Sequence, residues 1–386
     1  MYTLLIAIIY LAFISLGLPD SLLGSAWPIM HSDINVPLSL MGGISIIVSL
    51  GTIISSLFSN KLISKFGTQK VTTVSIFLTA IALLGFSYAT NIWMIVVFAI
   101  PYGFGAGAID AALNNYVALH YSSRHMSWLH CFWGVGTIIS PFVMSYALTN
   151  STWSDGYRIV AYIQIAIALV LLISAPLWKV NNKVEVESAE GNNSLGLIGA
   201  LKIKGVKELL IGFAGYCAAE GTAMAWSCTY LVEAKQLDEA KAAALASLFF
   251  IGMTVGRFLS GFITNRLGDK KMIYLGGIIA FVGVVLILIP STNVYIAFMG
   301  LVIYGLGCAP IYPSIIHSTP DNFGAENSGA IIGIQMAGAY TGAVLIPPLF
   351  GIISKFLGFE FFPIYIGVFM AITMIMLKRT FDITKK

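Results

Sequence analysis

The sequence predicts an all-α polytopic membrane protein, with twelve transmembrane helices in two six-helix repeats. Three observations carry that reading. Of 386 residues, 58% are hydrophobic and only 10% charged, where soluble domains run to about a quarter charged. The low charge extends over nearly the whole length, which no soluble core requires but a series of spans of about 20 apolar residues does. A pattern in the first half also returns in the second at a nearly constant offset. The net charge of +4 is too small to imply a nucleic-acid partner.

The apolar stretches follow one another at 3–30, 38–59, 71–90, 92–119, 127–149 and 158–178. A second set runs 208–233, 242–264, 272–290, 294–317, 328–354 and 361–377. The start, Met-Tyr-Thr-Leu-Leu-Ile, has no basic n-region and its apolar run outlasts a signal peptide, so it is expected to be a retained first span. The long polar segment falls between the two sets. The expected organisation is therefore a six-helix bundle over 1–178, a cytoplasmic linker over 179–207 and a second bundle over 208–386. The linker composition suits a solvated, disordered segment, with an interfacial amphipathic helix expected over Leu195–Lys207.

Basic residues set the expected orientation. With both termini cytoplasmic, the cytoplasmic segments hold Lys61, Lys65, Lys70, Arg124, Lys179, Lys183, Lys202, Lys204, Lys207, Arg266, Lys270, Lys271, Lys378, Arg379, Lys385 and Lys386. The outer side holds Arg158, Lys235, Lys241 and Lys355, and Arg257 falls inside a span. A multi-pass cell-membrane protein follows, with a bacterial inner membrane as the expected location. The four cysteines lie in apolar runs without a CxxC or CxxH pair, which favours packing over disulfides or metal.

The repeat is visible residue by residue. GTIISSLFSNKLISKFGTQK at 51–70 returns as GMTVGRFLSGFITNRLGDKK at 252–271, and YGFG at 102–105 returns as YGLG at 304–307. Asp20 in span 1 answers to Glu220 in span 7. Two halves joined by a polar linker form the parallel-repeat plan of many secondary transporters, with binding at the repeat interface.

On these residues the chain resembles the major facilitator superfamily. GFITNRLGDKK is similar to that family's G-x-x-x-D-R-x-G-x-K-K signature, with Asn265 in place of the acid; between spans 2 and 3, Ser64 and Lys65 replace Asp and Arg. Within the superfamily, the chain resembles the fucose–galactose–glucose:proton symporters and the related sodium–glucose-transporter-like group. The residues concerned are GLPDSLLGSAWP at 17–28, GAGAIDAALNNYV at 105–117, YCAAEGTAMAWSCTYL at 216–231, VGRF at 255–258 and GLGCAPIYP at 305–313. The resemblance implies a major facilitator fold and sugar transport. It also implies a proton-coupling acid at Asp110, where the family has Glu, and substrate handling by the span 1 acid, Asp20.

The residues themselves are chosen on physical grounds. An ionisable group at mid-membrane costs at least a few kcal/mol, which makes it a functional candidate. Asp20, Asp110 and Glu220 are the candidate proton-coupling groups, and Arg257 is a gate or a charge partner for Glu220. Asp20, Gly24 and Trp27 share a helical face, and Pro19 and Pro28 interrupt that span's backbone bonding. The structural alternative has Asp20 capping a broken helix. Asp110 and Asn114 share a face of span 4, with a fixed packing network as the alternative. His130, Trp133, Gly134 and Thr137 share a face of span 5, where His130 titrates in the physiological range or serves structurally.

Candidate substrate-binding residues are Asp20, Trp27, Asn114, Asn115, His130, Trp133, Glu220, Trp226, Tyr312 and Gln335. The indoles would stack on the apolar face of a sugar, although membrane tryptophans also anchor at interfaces. The amides and phenol suit hydroxyl-rich ligands or bind helices together. There is no Walker loop, no HExxH and no G-x-S-x-G, so neither an enzyme nor an ATP-driven pump is expected. The expected function is proton-coupled hexose or deoxyhexose symport by alternating access, with no cofactor, lipid as surroundings and a monomer as the working unit. The alternatives are a sodium-coupled sugar carrier, a drug or metabolite exporter, and a non-transporting sensor.

Overall fold

The computed structural model describes residues 2–37, 40–178, 197–237, 239–290 and 293–385. In order, the helices are α1 (Tyr2–Asp20), α2 (Leu22–Asp33), α3 (Leu40–Phe66), α4 (Thr68–Ser87), α5 (Ile92–His120), α6 (Ser123–Asn150), α7 (Trp153–Ile173) and α8 (Ala175–Trp178). They continue as α9 (Leu197–Leu201), α10 (Val206–Glu233), α11 (Glu239–Leu267), α12 (Asp269–Leu288), α13 (Val294–Cys308), α14 (Ile311–His317), α15 (Thr319–Phe323), α16 (Ala325–Leu357) and α17 (Phe362–Ile383). Span 1 is divided into α1 and α2, and span 10 into α13 and α14. Ten stretches meet the length and apolarity of a membrane span. Helices α10 and α11 are long enough, at 28 and 29 residues, but carry Glu220 and Arg257 inside them. The protein is an integral, multi-pass membrane protein.

The expected helix over Leu195–Lys207 is corrected by the structure. Among the described residues of that stretch, Leu197–Leu201 form a short helix, and α10 begins separately at Val206 after a turn in which Gly205 takes φ +91°. That left-handed geometry favours glycine and ends any continuous helix there. The remainder of the linker, 179–196, lies outside the described residues.

The chain divides into two compact units: Met1–His120 with Leu129–Leu195, and Tyr121–Trp128 with Gly196–Lys386. In unit 1, α3 and α4 both pack on α5, and α1 and α4 both pack on α7. Unit 2 repeats the scheme: α11 and α12 pack on α13, and α10 and α12 pack on α17. The turns repeat as well. Gly67 (φ +80°) ends α3 and Gly268 (φ +76°) ends α11, and each donates its N–H to a carbonyl four residues back, Ile63 at 2.7 Å and Thr264 at 2.8 Å. Only glycine takes that backbone without strain.

Helix surfaces are sorted for a hydrocarbon solvent. On α3, Ile46, Leu50, Ile54 and Phe58 are exposed, while Gly51, Thr52, Ser55, Ser56 and Ser59 are buried. Hydrophobic attraction between helices is weak where the solvent is itself apolar, so close contact and hydrogen bonds must hold them. Thr52, Ser55 and Ser56 accordingly donate to the carbonyls of Gly103, Phe104 and Gly107 on α5, at 3.2, 2.5 and 3.3 Å. A Cβ on Gly103 would overlap the Val48 carbonyl oxygen, and one on Gly107 would overlap that of Thr52.

Gly103→Leu is expected to cost about 2 kcal/mol or more, because α3 and α5 must separate. Thermal melts in detergent should show a lowered midpoint for this variant. Gly43→Ala, where a Cβ meets nothing within 4 Å, should melt as the parent does.

Candidate functional site

Helix α1 stops at Asp20 and α2 begins at Leu22, and the Ser21 hydroxyl between them donates to the Thr137 carbonyl of α6 at 2.7 Å. Both α1 and α6 are shaved at their contact. A Cβ on Gly17 would overlap the Trp133 carbonyl oxygen, and one on Gly136 would overlap that of Ile14. This closeness brings the Trp133 indole to Asp20, where Nε1 donates to Oδ2 at 2.8 Å. From α5, the Tyr102 hydroxyl donates to Oδ1 at 3.0 Å. Asp20 keeps an accessible side chain at the break of a membrane helix, and it has no basic partner among the described residues. Its charge is balanced by neutral donors alone.

A second chain of polar groups lies deeper in unit 1. Asn114 Nδ2 donates to Asp110 Oδ1 at 2.7 Å, and Asn114 Oδ1 lies 3.1 Å from His130 Nε2. Since that amide oxygen only accepts, the histidine nitrogen facing it carries the proton. Asp110, Asn114 and His130 are buried, and the His130 ring meets Phe13 edge-on at 5.4 Å. His130 and Trp133 stand three residues apart on α6, hence on one face. One face of α6 thus reaches Asp20 directly and Asp110 through Asn114.

Unit 2 treats its acid differently. Glu220 on α10 and Arg257 on α11 are both buried and form an ion pair at 3.0 Å. The Tyr216 hydroxyl donates to the Cys308 carbonyl at 2.9 Å, and the Tyr216 and Tyr312 rings lie 6.2 Å apart. Tyr312 is half-buried, and its hydroxyl lies 3.5 Å from Met336 Sδ. Gln335 is fully buried on α16; its oxygen accepts from Thr319 Oγ1 at 3.1 Å, while its Nε2 has no partner among the described residues.

The remaining candidates fall as follows. Trp27, at 1% exposed, is embedded in the core of unit 1 with Leu22, Phe86 and Tyr157, a place suited to packing and out of a ligand's reach. Trp226 donates to the Pro347 carbonyl at 2.8 Å and meets Phe350 edge-on and Phe359 at a tilt, fastening α10 to α16. Asn115 is buried beside Asn114 on α5. Among the described residues no disulfide joins the cysteines, and Cys217 and Cys308 are buried. Tyr102 was absent from the sequence candidates. Its signal was the repeated YGFG/YGLG motif, which marks a position without disclosing that the first tyrosine meets a carboxylate.

The family model of the Major Facilitator Superfamily matches residues 9–226 and again 209–385. The chain belongs to that superfamily. Its family and fold are those of transporters, not enzymes. Among curated relatives, Bypass of stop codon protein 6 of Saccharomyces cerevisiae is 22% identical, the alignment covering 93% of this chain and 79% of the yeast protein. The glucose/mannose transporter GlcP of Bacillus subtilis is 22% identical over 79% of this chain and 77% of its own. Multidrug resistance protein 2 of the same organism is 23% identical over 77% of each. Among solved structures, the E. coli fucose:proton symporter superposes with a TM-score of 0.82 at 16% identity, covering 98% of this chain and 99% of that one. At such identity the likeness establishes the fold.

The buried pair in unit 2 yields a stability prediction. Arg257→Met leaves Glu220 as an uncompensated buried charge, at an expected cost of about 3–5 kcal/mol. The double variant Glu220→Gln with Arg257→Met should recover most of that loss. Thermal midpoints of parent, single and double variants check both statements.

Proposed function

We propose that this transporter is a proton-coupled symporter of a hexose or deoxyhexose, working by alternating access. The observation that carries the reading is the single face of α6 on which Trp133 holds Asp20 and His130 reaches Asp110 through Asn114. Symport requires that the state of the substrate site be felt at the proton site. Here the two groups that reach the acids, His130 and Trp133, stand on one rigid helix, one turn apart.

The roles follow from exposure and partners. Asp20 is open to solvent, and its four acceptor lone pairs exceed the two donors it has, which leaves it able to accept sugar hydroxyls. Trp133, half-buried, offers both an N–H and a ring face beside it. Asp110 is enclosed, so its charged form is penalised unless a proton or a donor compensates it. We assign it the coupled proton, with Asn114 and His130 as its hydrogen-bonded link to α6. Glu220, neutralised by Arg257, is assigned to holding unit 2 together. A carrier built this way must not reorient with Asp110 ionised and the substrate site empty, because exposing that charge to changing surroundings is what loading avoids.

The test is uptake into proteoliposomes of labelled glucose, galactose, fucose, mannose, a nucleoside and a lipophilic cation, under an imposed inward proton gradient. A hexose should accumulate, independently of sodium, and the signal should collapse with a protonophore. Movement of the lipophilic cation alone would move the assignment to an exporter, and a sodium requirement would replace the coupling ion. In the same assay, Asp110→Asn is expected to abolish proton-driven accumulation while leaving exchange of labelled for unlabelled sugar. Intact accumulation in that variant would sink the proton assignment. Trp133→Phe removes a donor to a charged group, a loss of about 1.5–3 kcal/mol. Its expected effect is a rise in the apparent substrate KM of roughly tenfold or more.

A further inference from the structure

A separate set of titratable groups lies in unit 2, outside the chain that links Asp20 and Asp110. His317, the last residue of α14, has its Nδ1 2.6 Å from Asp269 Oδ2 on α12 and its Nε2 3.0 Å from the Tyr121 carbonyl oxygen. Asp269 Oδ1 accepts from the Ser123 hydroxyl, which also lies 2.7 Å from Thr264 Oγ1. The same stretch of chain is held at three further points. Arg124 N–H donates to Asn265 Oδ1 at 3.2 Å, its Nε donates to the Gly261 carbonyl at 3.2 Å, and Trp128 Nε1 donates to the Phe258 carbonyl at 3.2 Å.

Proton counting at His317 is decisive. A backbone carbonyl only accepts, so Nε2 carries a hydrogen. Nδ1 and a carboxylate oxygen each present a lone pair, so a contact of 2.6 Å between them needs a second proton. That proton may be drawn on the ring or on Asp269, and the total is the same. Removing it sets two lone pairs against each other and frees the residues that Asp269 and His317 jointly hold.

We propose that His317 and Asp269 form a second proton-binding site, whose occupancy fastens Tyr121–Trp128 to α11, α12 and α14. The charged groups acting on the ring are Asp269 from α12 and Asp321 from α15. On the fastened segment, the Arg124 guanidinium turns onto the Trp128 ring, and the His125 ring packs edge-on against Tyr121 and Trp128. Helices α10 and α13 also pack on α14, and among the described residues neither brings a charged group that acts on the ring. The fastened segment includes the first turns of α6, the helix that carries His130 and Trp133 further along.

The experiment is hydrogen–deuterium exchange of the backbone amides of 121–128 in the full chain, comparing parent with His317→Gln at each of a series of pH values. Taking the ratio at equal pH cancels the intrinsic pH dependence of exchange. At acid pH the parent should be protected roughly tenfold better, the worth of one charge-assisted hydrogen bond. The ratio should fall toward one as the pH rises. Asp269→Asn keeps an acceptor for Ser123 but removes the shared proton, and should show protection that does not vary with pH relative to His317→Gln. A parent-to-variant ratio that stays at one, or that stays constant across the series, overturns the proposal. The readout involves no transport, so its outcome is independent of the sugar and coupling assignments.

Discussion

Polar groups inside a hydrocarbon slab must find their partners within the protein, and most of this structure follows from that constraint. It explains why α3 buries Thr52, Ser55, Ser56 and Ser59 while Ile46, Leu50, Ile54 and Phe58 face outward. It explains why the hydroxyls of Thr52, Ser55 and Ser56 end on carbonyls of α5. It also sorts the acids. Glu220 is answered by a cation, Asp110 by a buried amide, and Asp20 by an indole and a phenol.

Those three answers differ in what they permit. An ion pair at 3.0 Å between two buried groups fixes both charges, and moving either proton exposes the other partner uncompensated. Neutral donors stabilise a carboxylate without opposing its protonation so strongly, since a hydroxyl or an indole survives as a neutral group when the acid takes a proton. One repeat thus holds its acid by charge, the other by dipoles. Exposure separates them further: Asp20 is open, while Glu220 is 9% exposed.

Much of the fold was legible because span length, apolarity and the basic loops are properties of composition along the chain. The repeated glycine turn at 67 and 268 and the split of span 1 beside Pro19 were also visible in the residues. The site was only partly legible. Helical spacing placed Asp110 with Asn114, and His130 with Trp133, since i, i+3 and i, i+4 neighbours are fixed by helix geometry. Contacts between helices are not. Nothing local indicated that Tyr102 meets Asp20, that Trp27 lies in the core, or that Trp226 is committed to Pro347. The linker over 195–207 misled for a related reason: its amphipathic spacing suggested one helix, while the positive φ at Gly205 breaks it. The grouping of Tyr121–Trp128 with unit 2 depends on Asn265, Asp269 and His317, which are far away in sequence.

The paired turns at Gly67 and Gly268 also bear on how finely the molecule can move. Each joins two long helices with a single residue and a hydrogen bond back into the preceding helix, so α3 with α4, and α11 with α12, have almost no slack between them. A helix on so short a tether cannot slide or rotate without dragging its neighbour. Each of these pairs is therefore expected to move as a hairpin, not as two separate helices.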